Sequence, residues 1–181
     1  TLPTKIFLTL IICAVNAFAQ KQTTTQTQDS ITVNAAEMAD LIISDAKKYL
    51  GRPYVWAANG PNAFDCTGFT KFIYSKFGYK LGRTVPAQMQ NGRPVTGGFH
   101  NLQKGDILIY GSRGDKSRPG HAAIFIELDP SGEFFTFIHA ASKGIIISRS
   151  NETYYKDRFL KAVRLIPDFV APAPEAPYTE E

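Results

Sequence analysis

Cysteine is scarce in this sequence. Its 181 residues contain only two, Cys13 and Cys66, and Cys13 lies in an apolar run close to the N-terminus. If that run is removed on export, Cys66 is left alone and no disulfide can form within the chain. A disulfide-stapled fold is therefore excluded, and Cys66 is either a buried, inert thiol or a reactive one.

Clustered positive charge, repeats and further apolar spans are also lacking. Lys and Arg number 20 against 16 Asp and Glu, a net charge of +4, and no five basic residues follow one another. Because this charge is weak and scattered, no nucleic-acid partner is predicted. The sequence has no internal repeat, no glycine-rich phosphate loop and no second long apolar run, which argues against a solenoid, a phosphate-loop enzyme and a polytopic membrane protein.

The N-terminal residues predict export. Lys5 precedes the apolar run IFLTLIICAV, and AFA provides a small-x-small site, so residues 1–19 are predicted to be a signal peptide that is cleaved before Gln20. Removal of Lys5 leaves 19 basic against 16 acidic residues, a net charge of +3. Lipidation at Cys13 is a less favoured alternative, because the large Ile12 precedes it, and the AFA site disfavours an uncleaved anchor. We expect a periplasmic or secreted protein with no stable membrane insertion after cleavage.

Composition divides the remaining chain into three parts. Residues 20–33 are polar and rich in Thr and Gln, which predicts a flexible leader. Residues 168–181 are acidic and rich in Pro and Ala, which predicts a disordered tail. Residues 34–167 lie between them and are enough for one domain with its own core, which we expect to be a monomer.

Within this domain, helical periodicity comes first and strand-like runs follow. Residues 34–51 have the apolar spacing of an amphipathic helix, with Asn34 placed to cap it and Gly51 placed to end it. A second helix is predicted over residues 66–77. After residue 100 there are five short runs rich in β-branched or aromatic residues and separated by turn signals: DILIY, HAAIFIEL, EFFTFIHA, GIIISRS and FLKAVRLI. This order predicts an α+β fold, with N-terminal helices packed on a central antiparallel β-sheet.

The place of Cys66 favours a reactive thiol. If Asp65 is the N-cap, Cys66 takes the first helical position, where unpaired N–H groups favour the thiolate and are expected to lower the thiol pKa. The Asp65 carboxylate opposes this effect, so we expect it to point away from the sulfur, toward the backbone or a substrate cation. An activated thiol also needs a base, and the chain offers His100, His121 and His139.

Two of these histidines are predicted to meet. His121 opens one strand, His139 lies near the end of the next, and the tight turn DPSGE joins them. Antiparallel pairing brings both to one edge of the sheet, so we expect a Cys66–His121–His139 chain of nucleophile, base and orienting group. His100 lies in a loop without an identifiable partner. One cysteine and two histidines could also hold zinc, but no short-spaced ligand pair exists, so no metal or other cofactor is predicted.

Five segments resemble the motifs of the NlpC/P60 family of papain-like cysteine peptidases: YVWAANGPNAFDCTGF, LGRT, LQKGDILIY, PGHAAIFIE and FIHA. The resemblance spans roughly residues 35–166, and cysteine precedes histidine as in the unpermuted branch of the family. It implies a papain-like fold and hydrolysis of peptidoglycan stem peptides, typically between γ-D-Glu and a diamino acid. It also implies that Cys66 is the nucleophile, His121 the base and His139 the residue that orients the base.

The resemblance implies further roles around the cysteine. The Tyr54 hydroxyl is expected near the nucleophile, where it could stabilise an oxyanion together with the Cys66 backbone N–H. Asp65 and Thr67 are expected to line the substrate cleft, and Asp65 to hold the free amine of a stem peptide.

The sequence departs from the family pattern at two places. Thr67 stands where serine is usual, and Ala57 and Ala58 follow Trp56 where two glycines are usual. If one of those glycines has a positive φ, alanine there would cost about 1 kcal/mol. Two alternatives stay open. The protein could be a stem-peptide binder with an idle thiol, against which the intact Cys, His and His set argues, or an amidase that uses the same machinery.

Overall fold

The structure is a computed structural model that describes residues 35–167. The predicted signal peptide, the leader, the capping residue Asn34 and the C-terminal tail lie outside the described residues. Residues Ala36–Pro167 form a compact unit. Within residues 35–167, no helix has the length and apolar character needed to cross a membrane.

Two predicted helices are present. Helix α1 covers residues 35–47 and buries Ala39, Ile42, Ile43 and Ala46, the spacing of one helical face. A turn then leads to Gly51, whose φ of +82° explains the glycine at the end of this segment.

Helix α2, Cys66–Ser75, begins at the predicted residue and ends two residues before the predicted end. Its turns continue to Gly78, which has a φ of +82°. A short third helix, α3, Val85–Gln88, was not predicted; Thr84 caps it and a proline occupies its first turn. Four residues are too few for a helical periodicity to be visible in the sequence.

Six strands form one fully antiparallel sheet in the order β1-β6-β2-β3-β4-β5. They are β1 Arg93–Val95, β2 Ile107–Gly111, β3 Pro119–Leu128, β4 Phe135–Ala141, β5 Gly144–Arg149 and β6 Phe159–Arg164. The last five match the runs in the sequence, so the predicted α+β fold with an antiparallel sheet is confirmed. Strand β1 was not predicted, because it has only three residues and one of them is a proline. The strand lies at the sheet edge, where the missing N–H of proline is tolerated.

Both faces of the central strands are buried. Side chains alternate along a strand, so Ile107 and Ile109 share one face of β2 while Leu108 and Tyr110 share the other. The second face carries an aromatic cluster with Phe125, Phe135, Phe137 and Tyr155 among its members. Helix α2 packs against β3 and β4, which brings its N-terminus to the sheet.

The predicted hairpin of β3 and β4 is confirmed. Ile124 pairs with Ile138 and Phe125 with Phe137. Continuing this register by one residue sets His139 opposite position 123, diagonal to His121 on the same face. Diagonal neighbours on one face lie close enough for side-chain contact.

Candidate active site

Cys66 lies where the helix and the sheet meet. It takes the first position of α2, as predicted, and is partly buried. The backbone N–H of Ala122 hydrogen-bonds to the Cys66 thiol, which places the sulfur beside the residue that follows His121. The Thr67 and Cys66 N–H groups at the helix start also lie near the sulfur.

The thiol pKa differs from the prediction. Burial is the largest influence and raises the pKa of Cys66, and the Asp65 charge acts in the same direction. The Ala122, Thr67 and Cys66 N–H groups act to lower the pKa of the thiol, but they do not overcome the effect of burial. The predicted lowering was wrong because the sequence shows the helix start but not how much water the sheet excludes from the sulfur.

The Asp65 side chain is bonded to backbone N–H groups and to Arg83. Its side chain caps α2 by accepting from the Gly68 N–H at 2.7 Å, and it accepts from the Ala57 N–H at 3.0 Å. The guanidinium of Arg83 donates to both carboxylate oxygens, at 2.9 and 2.6 Å. Asp65 is only 4% exposed. Burial acts to raise the pKa of Asp65, but the bonds from Arg83 and Gly68 outweigh it and hold the pKa below its usual value.

Thr67 belongs to the same network. Its hydroxyl donates to the Arg83 carbonyl oxygen at 2.8 Å and accepts from the Arg83 guanidinium at 2.5 Å. Thr67 is 5% exposed, so its polar atoms and those of Asp65 are bonded within the protein. The cation that meets Asp65 here is Arg83. The expectation that Asp65 holds a substrate amine stays a prediction, and so does the cleft-lining role of Asp65 and Thr67.

The sequence assigned no role to Arg83, although its motif LGRT was noted. The contact between Arg83 and Asp65 spans 18 residues, a separation with no helical or strand period to reveal it. Gln88, which is fully buried, fixes the segment that carries Arg83, because its side-chain amide donates to the Thr67 and Gly82 carbonyls, each at 3.0 Å.

The loop before α2 is fastened to the start of the helix. The Asp65 N–H donates to the Ala58 carbonyl at 3.0 Å, and a Cβ added at Gly68 would collide with that carbonyl oxygen. Ala57 has a φ of +64°, so one of the two alanines in the family's glycine positions does take the left-handed conformation. Trp56, beside it, is 82% exposed.

Tyr54 lies on this loop near the thiol. Burial raises the pKa of its hydroxyl, and the Cys66 and Asp65 charges raise it further, which shows that Tyr54 lies within electrostatic range of both groups. Its expected oxyanion role stays a prediction.

The two predicted histidines are hydrogen-bonded to each other. His121 Nε2 lies 3.0 Å from His139 Nδ1, with the rings nearly perpendicular. Burial lowers the pKa of His121 to about 4, and burial together with the neighbouring His121 lowers the pKa of His139 to about 2. Both imidazoles are therefore neutral at pH 7. Nδ1 of His121 is the ring nitrogen that does not face His139.

Two buried hydroxyl groups lie within hydrogen-bonding distance of the other ring nitrogen of His139. His139 Nε2 lies 3.2 Å from Ser148 Oγ on β5 and 3.3 Å from Tyr155 Oη in the turn before β6. Both residues are buried. Sequence reasoning missed them because each looks like an ordinary strand or turn residue until the sheet is assembled.

The third histidine takes no part. His100 is exposed on a 3-10 turn, Phe99–Asn101, and stacks on Phe99 with ring centroids 4.2 Å apart. Among residues 35–167, no three His, Cys, Asp or Glu side chains are grouped so that they could hold a metal ion.

The domain has an α+β fold, with a cysteine at the start of a helix and two hydrogen-bonded histidines on the adjacent strands. This is the architecture of papain-like proteins. The family model described as the NlpC/P60 family matches residues 51–164, and the chain belongs to this family.

Known relatives agree with this assignment. The chain is 33% identical to the "Probable peptidoglycan endopeptidase LytE" of Bacillus subtilis, over 68% of this chain and 33% of that protein. It is 33% identical to the "Gamma-D-glutamyl-L-lysine dipeptidyl-peptidase" of Bacillus cereus, over 71% of this chain and 37% of that protein. The chain therefore spans only about a third of the length of these two curated relatives, 33% and 37%.

A solved structure has the same fold. The crystal structure of an NlpC/P60 family protein from Bacillus cereus aligns with a TM-score of 0.63 at 33% identity, covering 71% of this chain and 40% of that chain. The papain-like NlpC/P60 fold expected from the sequence motifs is thereby confirmed.

Proposed function

We propose that this protein is an exported cysteine peptidase that hydrolyses peptidoglycan stem peptides, at the bond between γ-D-glutamate and the diamino acid. The observation that carries the proposal is the placement of the Cys66 sulfur beside the start of β3, where His121 is hydrogen-bonded to His139 at 3.0 Å. A nucleophile, a base and a group that orients the base are the three parts of such a site.

The proton balance of the site suggests how the reaction begins. In the substrate-free protein the thiol is protonated and His121 is neutral. The thiol therefore gives its proton to Nδ1 of His121 as the sulfur attacks the γ-carbonyl carbon. The resulting oxyanion is stabilised by the Cys66 backbone N–H and the Tyr54 hydroxyl.

The tetrahedral intermediate collapses when the C–N bond breaks. His121 returns the proton to the leaving amine, and the γ-glutamyl group stays on Cys66 as a thioester. Water then attacks the thioester carbonyl, and His121 takes a proton from that water and gives it to the departing sulfur. No cofactor enters either step.

The choice of bond is supported by the chain's relatives and by the residues it shares with the family. One relative is named for a γ-D-glutamyl-L-lysine bond and another for peptidoglycan. The motifs around Cys66, His121 and His139 carry the same implication. The N-terminal residues support export, and sequencing of the mature protein is expected to begin at Gln20. A lipid-modified Cys13 at the N-terminus would contradict that expectation.

Mass spectrometry of peptidoglycan fragments tests the activity. Purified protein is incubated with peptidoglycan fragments whose stem peptides are still attached to the glycan. We expect two sets of new products, one that ends in γ-D-glutamate and one that begins with the diamino acid. The matched control is Cys66→Ala, which keeps the fold and is expected to yield no such fragments. Intact stems that bind without being cut would favour the binding protein, and release of whole stems from the glycan would favour the amidase.

A further inference from the structure

Nε2 of His139, the ring nitrogen that does not face His121, is not exposed to solvent. His139 is fully buried, and its Nε2 faces the hydroxyl groups of Ser148 and Tyr155 at 3.2 and 3.3 Å. The rings of His139 and Tyr155 are also in edge contact, with centroids 5.3 Å apart. The proposed mechanism above uses neither hydroxyl.

The N–H hydrogens of the two bonded histidines can be arranged in two ways. A neutral imidazole carries one N–H, on either Nδ1 or Nε2. If His139 carries it on Nε2, its Nδ1 accepts from His121 Nε2, and Nδ1 of His121 is left bare. If His139 carries it on Nδ1, the bond between the histidines reverses, and Nδ1 of His121 holds a hydrogen. Only the first arrangement can receive a proton from the thiol.

The proposed mechanism requires the first arrangement, because only then is Nδ1 of His121 bare. In that arrangement the buried Nε2–H of His139 needs an acceptor. Ser148 Oγ at 3.2 Å and Tyr155 Oη at 3.3 Å both have lone pairs that can accept this hydrogen.

We propose that Ser148 and Tyr155 are positioning residues, which hold the N–H of His139 on Nε2 and so keep Nδ1 of His121 free to accept the thiol proton. The choice of tautomer and its catalytic consequence both rest on the proposed function. The two hydroxyls act through His139 and touch neither the substrate nor the sulfur.

Ring ¹⁵N chemical shifts of labelled histidine test the tautomer directly, since a protonated and a bare ring nitrogen resonate far apart. The measurement uses Cys66→Ala protein at pH 7, so its result does not depend on turnover. We expect His139 to be protonated on Nε2 and His121 on Nε2. In the same background, Ser148→Ala with Tyr155→Phe is expected to add a population protonated on Nδ1. A folded double variant with unchanged tautomers would overturn the proposal.

Kinetics on the active protein test the consequence. Ser148→Ala with Tyr155→Phe is expected to lower kcat about tenfold and leave KM unchanged, because one hydrogen-bond preference is lost and the cleft is intact. Ser148→Thr, which retains the hydroxyl, should preserve kcat. The control Tyr154→Phe changes the exposed neighbour of Tyr155 and should have no effect. A loss confined to KM, or Ser148→Thr as impaired as Ser148→Ala, would contradict the positioning role. If Cys66→Ala retained hydrolysis, the proposed function would fall while the tautomer result stood.

Discussion

The two halves of the site handle charge in opposite ways. The cysteine half, at the start of α2, contains the ion pair of Asp65 and Arg83, and the Arg83 side chain is 34% exposed. The histidine half, on β3 and β4, contains two imidazoles that burial keeps neutral, one of them without any exposed surface. Charge is therefore retained where it can be paired near water and removed where it cannot.

This difference shows what each half requires. The Asp65 carboxylate next to the proposed nucleophile would oppose a thiolate. Arg83 offsets that charge, and two backbone N–H groups fix the carboxylate. A base has to be unprotonated before it can act, and burial supplies this condition without a charged partner. The sheet interior therefore keeps the proposed base, His121, unprotonated, and the ion pair with Arg83 offsets the Asp65 charge beside the proposed nucleophile, Cys66.

The largest expected effect comes from removing the Cys66 thiol from one half or the His121 imidazole from the other. Cys66→Ala and His121→Ala are each expected to lower kcat by at least about 10⁴. The double variant should be no worse than either single variant, because the nucleophile and base act as a unit. Rates of fragment release from stem peptides measure this, and additive losses would show that the two halves work independently.

His139→Ala is expected to impair turnover less than either of those variants. It removes only the residue that orients the base, although loss of the third residue of a serine protease triad costs about 10⁴ in kcat. The same fragment-release assay measures the effect. Equal rates for His139→Ala and the wild type would remove His139 from the site.

The charged half can be broken by removing its cation. Arg83→Met should lower the free energy of unfolding by about 2–3 kcal/mol, because it leaves the buried Asp65 carboxylate without its ion pair, and the partial exposure of Arg83 moderates the loss. Urea unfolding at pH 7 measures this, with Arg113→Met in an exposed loop as the control.

The same variant has a defined pH dependence. The pKa of Asp65 is lowered in the folded protein, so its contribution to stability is present above the ordinary carboxyl pKa and is lost as the pH falls through the folded value. The difference between Arg83→Met and the wild type should therefore shrink in acid. A difference that stayed constant would show that Arg83 acts through packing alone.

The histidine half can be tested by lowering the pH, which favours protonation of its buried imidazoles. His139 has a pKa of about 2 when folded, against about 6.5 in an unfolded chain, so the unfolded state binds more protons below pH 6.5 and stability falls as the pH is lowered. Between pH 7 and pH 5 this one residue should cost about 2 kcal/mol. Urea unfolding measures this. Between pH 7 and pH 5, the free energy of unfolding of His139→Gln should fall by about 2 kcal/mol less than that of the wild type. The control His100→Gln, at an exposed position, should behave as the wild type.

The smallest expected effect concerns the loop before α2. Ala57 has a φ of +64°, a conformation that costs a residue with a Cβ about 1 kcal/mol. Ala57→Gly should raise the free energy of unfolding by about 0.5 kcal/mol once the greater freedom of glycine in the unfolded chain is counted. Ala58→Gly is the matched control and should destabilise, since Ala58 is not among the residues with positive φ.

The sequence determined those parts of the site that depend on short-range pattern. Cys66 at the helix start follows from the capping residue Asp65 and the apolar spacing of α2. The approach of His121 and His139 follows from the length of the two strands and the turn between them, because the strand period fixes which residues share a face. The five motifs then identified the family, and the family model agrees.

Only the tertiary structure decided the groups that complete each half. Arg83 reaches Asp65 across 18 residues, and Ser148 and Tyr155 reach His139 from β5 and a turn, so no local period links them. The protonation states also depended on it. The helix start predicted a lowered thiol pKa, but the packed sheet excludes water from the sulfur and raises it. Desolvation is set by the atoms that surround a group in space, whereas a sequence orders only its neighbours along the chain.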